Sequence, residues 1–237
     1  MQVLVYKDAA TIAKAAAAIF AGEIAKKDGY VIGLATGSTP VPTYQELIKM
    51  NKEGVLDFSK VISYNLDEYV GLEPTHPCSY RYFMNEQLFD HINIDKANTH
   101  VPDGITCDTE GYEQAIKNAG GVDLQLLGIG SDGHIGFNEP ADEFVYPTNI
   151  VKLTDQTIDD NARFFNSRDE VPTSAISMGI GTIMAAKRII LIATGKNKAK
   201  AIAAAIKGPV VPSMPASILQ MHQNVQFLLD EDAASEL

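Results

Sequence analysis

Leu124-Gln125-Leu126-Leu127-Gly128-Ile129-Gly130-Ser131-Asp132-Gly133-His134-Ile135-Gly136-Phe137-Asn138-Glu139-Pro140 joins a largely apolar run to a glycine-rich turn that carries Asp132, His134 and Glu139. The run Leu124 to Ile129 reads as a buried strand. Carboxylates beside an imidazole at the C-terminal edge of such a strand are what acid–base chemistry on a small molecule requires. A turn that merely reverses the chain needs glycine but has no use for these three side chains together. A polar turn with a surface histidine is the plainer alternative. Against it, the glycines leave the backbone bare for close approach of a ligand. Two carboxylates can also fix the imidazole tautomer and raise its basicity.

Working outward, further strands are expected at Val3 to Tyr6, Tyr30 to Ala35, Val61 to Tyr64, Ala175 to Met178, Arg188 to Ala193 and Val225 to Leu229. Helices are expected at Ala9 to Lys27, Pro42 to Lys52, Ser79 to Phe89, Glu110 to Asn118, Asp155 to Phe165 and Lys198 to Ile206. Strands alternating with helices imply an α/β fold, a doubly wound and mostly parallel sheet covered on both faces. The 237 residues suit one α/β domain, 1–237, with no repeat, linker or low-complexity tract, and the acidic tail from Asp230 is expected to be mobile.

The net charge of −11 disfavours a nucleic-acid partner, which rewards a basic stripe. No apolar run approaches the ~20 residues of a membrane span. Lys14 to Gly22 is bordered by Asp8, Lys14 and Glu23, and reads as a first amphipathic helix rather than a signal core. The two cysteines, Cys78 and Cys107, form no CxxC pair, so reduced thiols and a cytoplasmic location are expected. His76, His91, His100 and His222 lack ligand spacing and read as structural or surface residues.

Three other segments carry chemistry. Gly128-x-Gly130-x-x-Gly133 matches the dinucleotide fingerprint by letters, yet Pro140 and Pro147 deny it the long helix that the fingerprint requires. Asn65-Leu66-Asp67-Glu68-Tyr69 follows a strand and reads either as a turn or helix cap, or as the source of a base beside the Asp132 turn. Thr36-Gly37-Ser38-Thr39 lies between a strand and a helix, where bare amides and hydroxyls cradle anions. A second such turn, Thr194-Gly195-Lys196-Asn197-Lys198, adds two ammonium groups; it is no Walker loop, because residue 190 is Ile and residue 197 is Asn. Two anion-friendly turns in an acidic chain point to a phosphate-bearing substrate, to which Arg163 can add a bidentate contact.

Taken together, LATGSTP (34–40), NLDEYVGL (65–72), GIGSDGHIGFNEP (128–140), ARFF (162–165) and GKNKAKAI (195–202) closely resemble the glucosamine-6-phosphate deaminase family, in order and over nearly the whole chain. The related 6-phosphogluconolactonases share the fold, but there the first acidic motif reads Asp-Glu-Arg and the acid matching Glu139 is missing; this chain has Tyr69 and keeps Glu139. The resemblance implies conversion of D-glucosamine 6-phosphate and water to D-fructose 6-phosphate and ammonia, in amino-sugar catabolism and without metal or organic cofactor. It implies that His134, poised by Asp132 and Glu139, opens the sugar ring. Asp67 then moves the proton between C2 and C1, and Asp132 helps to orient the attacking water. Substrate contacts carry over to Thr36, Gly37, Ser38, Thr39, Arg163 and Lys198, and residues 153–170 match a mobile lid. The resemblance also brings in longer bacterial relatives that are hexamers activated by N-acetylglucosamine 6-phosphate, through basic residues just before the lid. Asn149 and Val151 stand at those positions, so a monomer is expected ahead of a homo-hexamer. A lactonase and a non-catalytic sugar-phosphate sensor are the competing readings.

Overall fold

The computed structural model describes residues 1–237. In chain order the elements are β1 (Gln2–Tyr6), α1 (Ala9–Ile24), β2 (Val31–Leu34), α2 (Val41–Lys52), β3 (Ile62–Asn65), β4 (Asp67–Tyr69), α3 (Tyr80–Gln87), β5 (Thr99–His100) and α4 (Thr109–Asn118). There follow β6 (Leu124–Leu127), β7 (Asn149–Lys152), α5 (Asp155–Asn161), β8 (Ser174–Ser177), α6 (Ile180–Met184), β9 (Arg188–Ala193), α7 (Ala199–Lys207) and β10 (Val225–Asp230). Short 3-10 turns join several of them.

Seven strands form one sheet in the order β1-β10-β9-β6-β2-β3-β5, and every pairing in it is parallel. β2 and β6 are buried along their whole length and β9 along all but Arg188, as strands covered on both faces must be. From β2 the chain steps to β3 and β5. It then returns to the other side of β2 as β6 and steps away through β9 and β10. Because the direction of travel reverses, right-handed crossovers put α1 and α2 on one face and α4 and α7 on the other. α1 packs on α2 and on β10 and buries a stripe of Ile12, Ala16, Phe20 and Ile24 at helical spacing, and Asp8 caps it by accepting from the Thr11 amide at 2.8 Å. The reversal leaves a crevice between the C-terminal ends of β2 and β6, where open α/β sheets take their ligands.

A second, antiparallel sheet, β4-β8-β7, sits beside that crevice. It corrects two expectations. Asp67–Tyr69 is a strand, paired with Ser177, Ile176 and Ala175, rather than a turn. The Ala175 strand lies here, outside the parallel sheet. The expected helix from Asp155 to Phe165 also ends early, at Asn161, and tightens into a 3-10 turn at Ala162–Phe164.

The tail from Asp230 is not loose. The Asp230 carboxylate accepts from the Gly195 amide at 3.0 Å and from the Ala233 amide at 2.7 Å, and Ala233 is fully buried. These contacts remove the freedom that an acidic terminus otherwise has. No helix is long and apolar enough to cross a membrane.

Candidate active site

The crevice holds a cavity of about 340 Å³, lined from the large sheet by Thr36, Gly37, Ser38, Thr39 and His134. The small sheet contributes Asp67 and Tyr69, and the segment after β7 contributes Thr157, Asp160, Asn161 and Arg163. Lys198 enters from the turn before α7. Of the ten residues singled out in the sequence, eight line this one space; Asp132 and Glu139 stand behind His134.

Thr36–Thr39 leaves the end of β2 with Gly37 at φ +90°, a conformation that side-chain-bearing residues rarely adopt. The turn feeds α2, whose N-terminus has no side-chain cap. The amides of Gly37, Ser38 and Thr39 meet no backbone acceptor, so this edge of the cavity offers donors and a positive helix end. Two cations face it. Burial depresses the Lys198 pKa, nearby Asp160 and Asp132 oppose that, and Arg163 depresses it further. Arg163 is exposed, with its guanidinium 4.7 Å from the centre of the Phe164 ring. Two positive groups that raise each other's free energy favour an anion between them. The other turn, Thr194–Lys198, is no second cradle. The Asp230 carboxylate already occupies its Gly195 amide, and only Lys198 reaches the cavity.

Asp67 and Glu68 are consecutive strand residues and point to opposite sides. Asp67 faces the cavity. Burial and then the charge of Glu68 push its pKa up to about 7, against the pull of His134, and no hydrogen bond contributes. Glu68 points away and accepts from the amides of Tyr69 (2.9 Å), Tyr80 (2.8 Å) and Arg81 (3.0 Å), which binds the first turn of α3 to β4. Of two adjacent buried carboxylates, Glu68 is saturated with donors and Asp67 accepts none.

His134 is held in a turn that closes on itself, with the Gly130 amide donating to the His134 carbonyl at 2.9 Å. Gly133 makes the turn possible. Its φ is +92°, and a Cβ there would lie 2.0 Å from the Met214 sulfur. His134 Nδ1 lies 2.8 Å from Asp132 Oδ1 and 3.8 Å from Glu139 Oε2, although its N–H is not aligned as a hydrogen bond. Burial alone would lower the His134 pKa, but Asp132 and then Glu139 outweigh it and the imidazole titrates above its ordinary value. For Asp132, burial opposes ionisation, yet the His134 ring and amide hold its carboxyl down at about 2. Glu139 in turn accepts from the Thr157 hydroxyl at 2.5 Å.

Ligand atoms of Asp132, His134 and Glu139 lie within 4.8 Å of one another, the only such grouping of three in the chain. Groupings of this kind are common without an ion, and here both carboxylates face the imidazole Nδ1 instead.

Three residues that shape the site were not foreseen, two of which, Tyr80 and Thr157, line the cavity. Glu68 carries no motif beyond its position. Tyr80 lies at the N-terminus of α3, with its ring tilted against Tyr69 at 4.8 Å and stacked on Phe137 at 6.0 Å. Thr157 is an ordinary helix threonine by sequence. Only the serine before Tyr80, which caps α3 by accepting from the Tyr82 amide at 3.0 Å, left a readable signal.

The fold and the site together define a class: an α/β protein with a buried carboxylate that accepts no hydrogen bond and a carboxylate-backed imidazole, facing an anion cradle at the switch point of a parallel sheet. Within that class, the chain belongs to the glucosamine-6-phosphate isomerase/6-phosphogluconolactonase family, whose sequence model matches residues 7–228. It is 55% identical to glucosamine-6-phosphate deaminase of Shewanella woodyi, over 100% of this chain and 91% of the relative. It is 52% identical to glucosamine-6-phosphate deaminase of Clostridium perfringens, over 100% of both. A solved monomeric glucosamine-6-phosphate deaminase superposes with a TM-score of 0.97 at 41% identity, over 100% of both chains. The 6-phosphogluconolactonase of Trypanosoma brucei superposes at 0.73 with 19% identity, over 100% and 98%, and shares the fold.

Proposed function

We propose that this chain converts D-glucosamine 6-phosphate and water to D-fructose 6-phosphate and ammonia. The observation that carries the reading is the pairing of Asp67, an unsatisfied base, with His134, a carboxylate-backed acid–base group, on one cavity that also holds an anion cradle. The phosphate binds the amides of Gly37 and Ser38, the hydroxyls of Thr36 and Thr39, and the cations Arg163 and Lys198. His134 takes the proton from the anomeric hydroxyl and returns one to the ring oxygen, which opens the ring to the C1 aldehyde. That aldehyde acidifies the C2 hydrogen. Asp67 removes it, leaving an enolamine, and delivers a proton to C1; the electron pair then resides in a C2 iminium. Water oriented by Asp132 adds to C2, a proton passes to nitrogen, and ammonia leaves as the C2 ketone forms. The net reaction consumes one water, which makes it hydrolytic as well as isomerising.

Residues 153–170 act as the lid. Support comes from Thr157, Asp160, Asn161, Arg163, Phe164 and Phe165, all of which line the cavity from this one segment. A lid of this kind excludes water until the iminium needs it. Asn149 and Val151, standing where the resemblance places basic effector ligands, favour an unregulated monomer. The free thiols of Cys78 and Cys107 fit a reducing, cytoplasmic setting.

Incubation with glucosamine 6-phosphate should release ammonia stoichiometrically with fructose 6-phosphate, while 6-phosphogluconolactone is hydrolysed no faster than in buffer. Ammonia no higher than in a heat-killed control rejects the reading. Lactone hydrolysis without ammonia replaces it with the lactonase, and Tyr69 and Glu139 argue against that outcome.

A further inference from the structure

We infer that Thr157 is a positioning residue for His134, acting through Glu139, so that the charge of the imidazole depends on the seating of helix α5. The catalytic consequence rests on the proposed deaminase reaction; the coupling itself does not.

Glu139 belongs to the loop after β6, but its donors come from α5. The Thr157 hydroxyl, on a buried residue, donates to Glu139 Oε1 at 2.5 Å. Thr154, the N-cap of α5, places its hydroxyl 3.4 Å from Glu139 Oε2, the oxygen that lies 3.8 Å from His134 Nδ1. The same Thr154 oxygen accepts from the Thr157 amide at 3.2 Å, so cap and donor form one unit. The first turn of α5 therefore grips one carboxylate of the imidazole's support, while the next turn of chain carries Arg163 into the cavity.

The energetics follow from position. The Glu139 side chain is only 9% exposed, so the hydroxyls around it, rather than water, set where its oxygens lie. Thr157 supplies the shorter contact, 2.5 Å against 3.4 Å from Thr154. Without it the carboxylate is free to rotate away from the ring, and the imidazolium loses one of its two anionic neighbours. The charged groups facing His134 are Asp132 and Glu139 from its own loop, Lys198 from the turn before α7 and Asp67 from β4. Only Glu139 among them is held by α5.

The test is a histidine-detected NMR titration of the full chain without substrate, with the His134 signal assigned by its loss in His134→Gln. In Thr157→Val, which keeps the shape and removes the hydroxyl, the His134 midpoint should fall by about half a pH unit or more. Thr157→Ser should restore the original midpoint. Steady-state rates should show kcat down about tenfold with KM within about twofold, because the phosphate grip is intact. Glu139→Gln should lower the midpoint by itself, and adding Thr157→Val to it should do nothing further. An unmoved midpoint in folded Thr157→Val, or an additive second shift in the double variant, overturns the inference. Thr157→Ala carries the same expectation should valine prevent folding. Because the titration needs no turnover, it reads the coupling even if the ammonia assay fails.

Discussion

At the scale of the residue, Asp67 carries the sharpest consequences. Its carboxyl is raised to about 7, so the base is half protonated near neutrality. The acid limb of kcat/KM should fall tenfold per pH unit below about 7, and Asp67→Asn should abolish it with a loss of about 10³-fold or more. The stability effect has the opposite sense. A carboxyl whose pKa is raised by folding is favoured protonated, so its contribution is most favourable below about 4 and declines as pH rises toward and past 7. Thermal melts should therefore show Asp67→Asn more stable than the parent at pH 8, by on the order of a few kcal/mol, with the gap closing near pH 4. A constant gap across that range removes burial of the charge as its cause. Gly133 is the other single residue on which the site turns. Gly133→Ala meets the Met214 sulfur at 2.0 Å and strains φ at +92°, and should cost about 1–3 kcal/mol of unfolding free energy in denaturant titration.

At the scale of the element, the parts of the site that were legible in the sequence are those whose logic is local. The Gly128–Pro140 turn declares itself because its glycines and its three ionisable groups lie within a few residues of a buried strand. Thr36–Thr39 does so through its place between a strand and a helix. The small sheet was hidden for the opposite reason. β4 is three residues long and finds its partner β8 more than a hundred residues later, so no periodicity can announce it. Glu68 carries no signal of its own in the sequence, because its work as a cap for α3 depends on a helix whose N-terminus arrives from elsewhere. The Asp230 contact with Gly195 is likewise long-range, and it cancelled the second anion cradle. The cap itself is testable. Glu68→Ala strands the amides of Tyr80 and Arg81 and should destabilise the fold by about 2–3 kcal/mol. The same variant should raise KM, because Tyr80 loses its anchor. A melt within about 0.5 kcal/mol of the parent would show that water replaces the carboxylate.

At the scale of the whole molecule, light scattering should return one chain's mass, near 25.6 kDa, with and without N-acetylglucosamine 6-phosphate. A mass six times larger, or a sigmoidal rate curve relieved by that sugar, rejects the unregulated monomer. The division of labour between the two sheets has a further result. Asp67 belongs to the three-stranded sheet, whereas Thr36–Thr39 and His134 issue from strands of the seven-stranded one. A sugar phosphate that touches both is a removable staple between separately hydrogen-bonded layers. Occupancy by an amino-hexitol 6-phosphate, which has no ring to open, should slow deuterium uptake at the amides of β4, β7 and β8 far more than at those of β9 and β10. The smaller layer would then keep time with the substrate while the larger one stays indifferent to it.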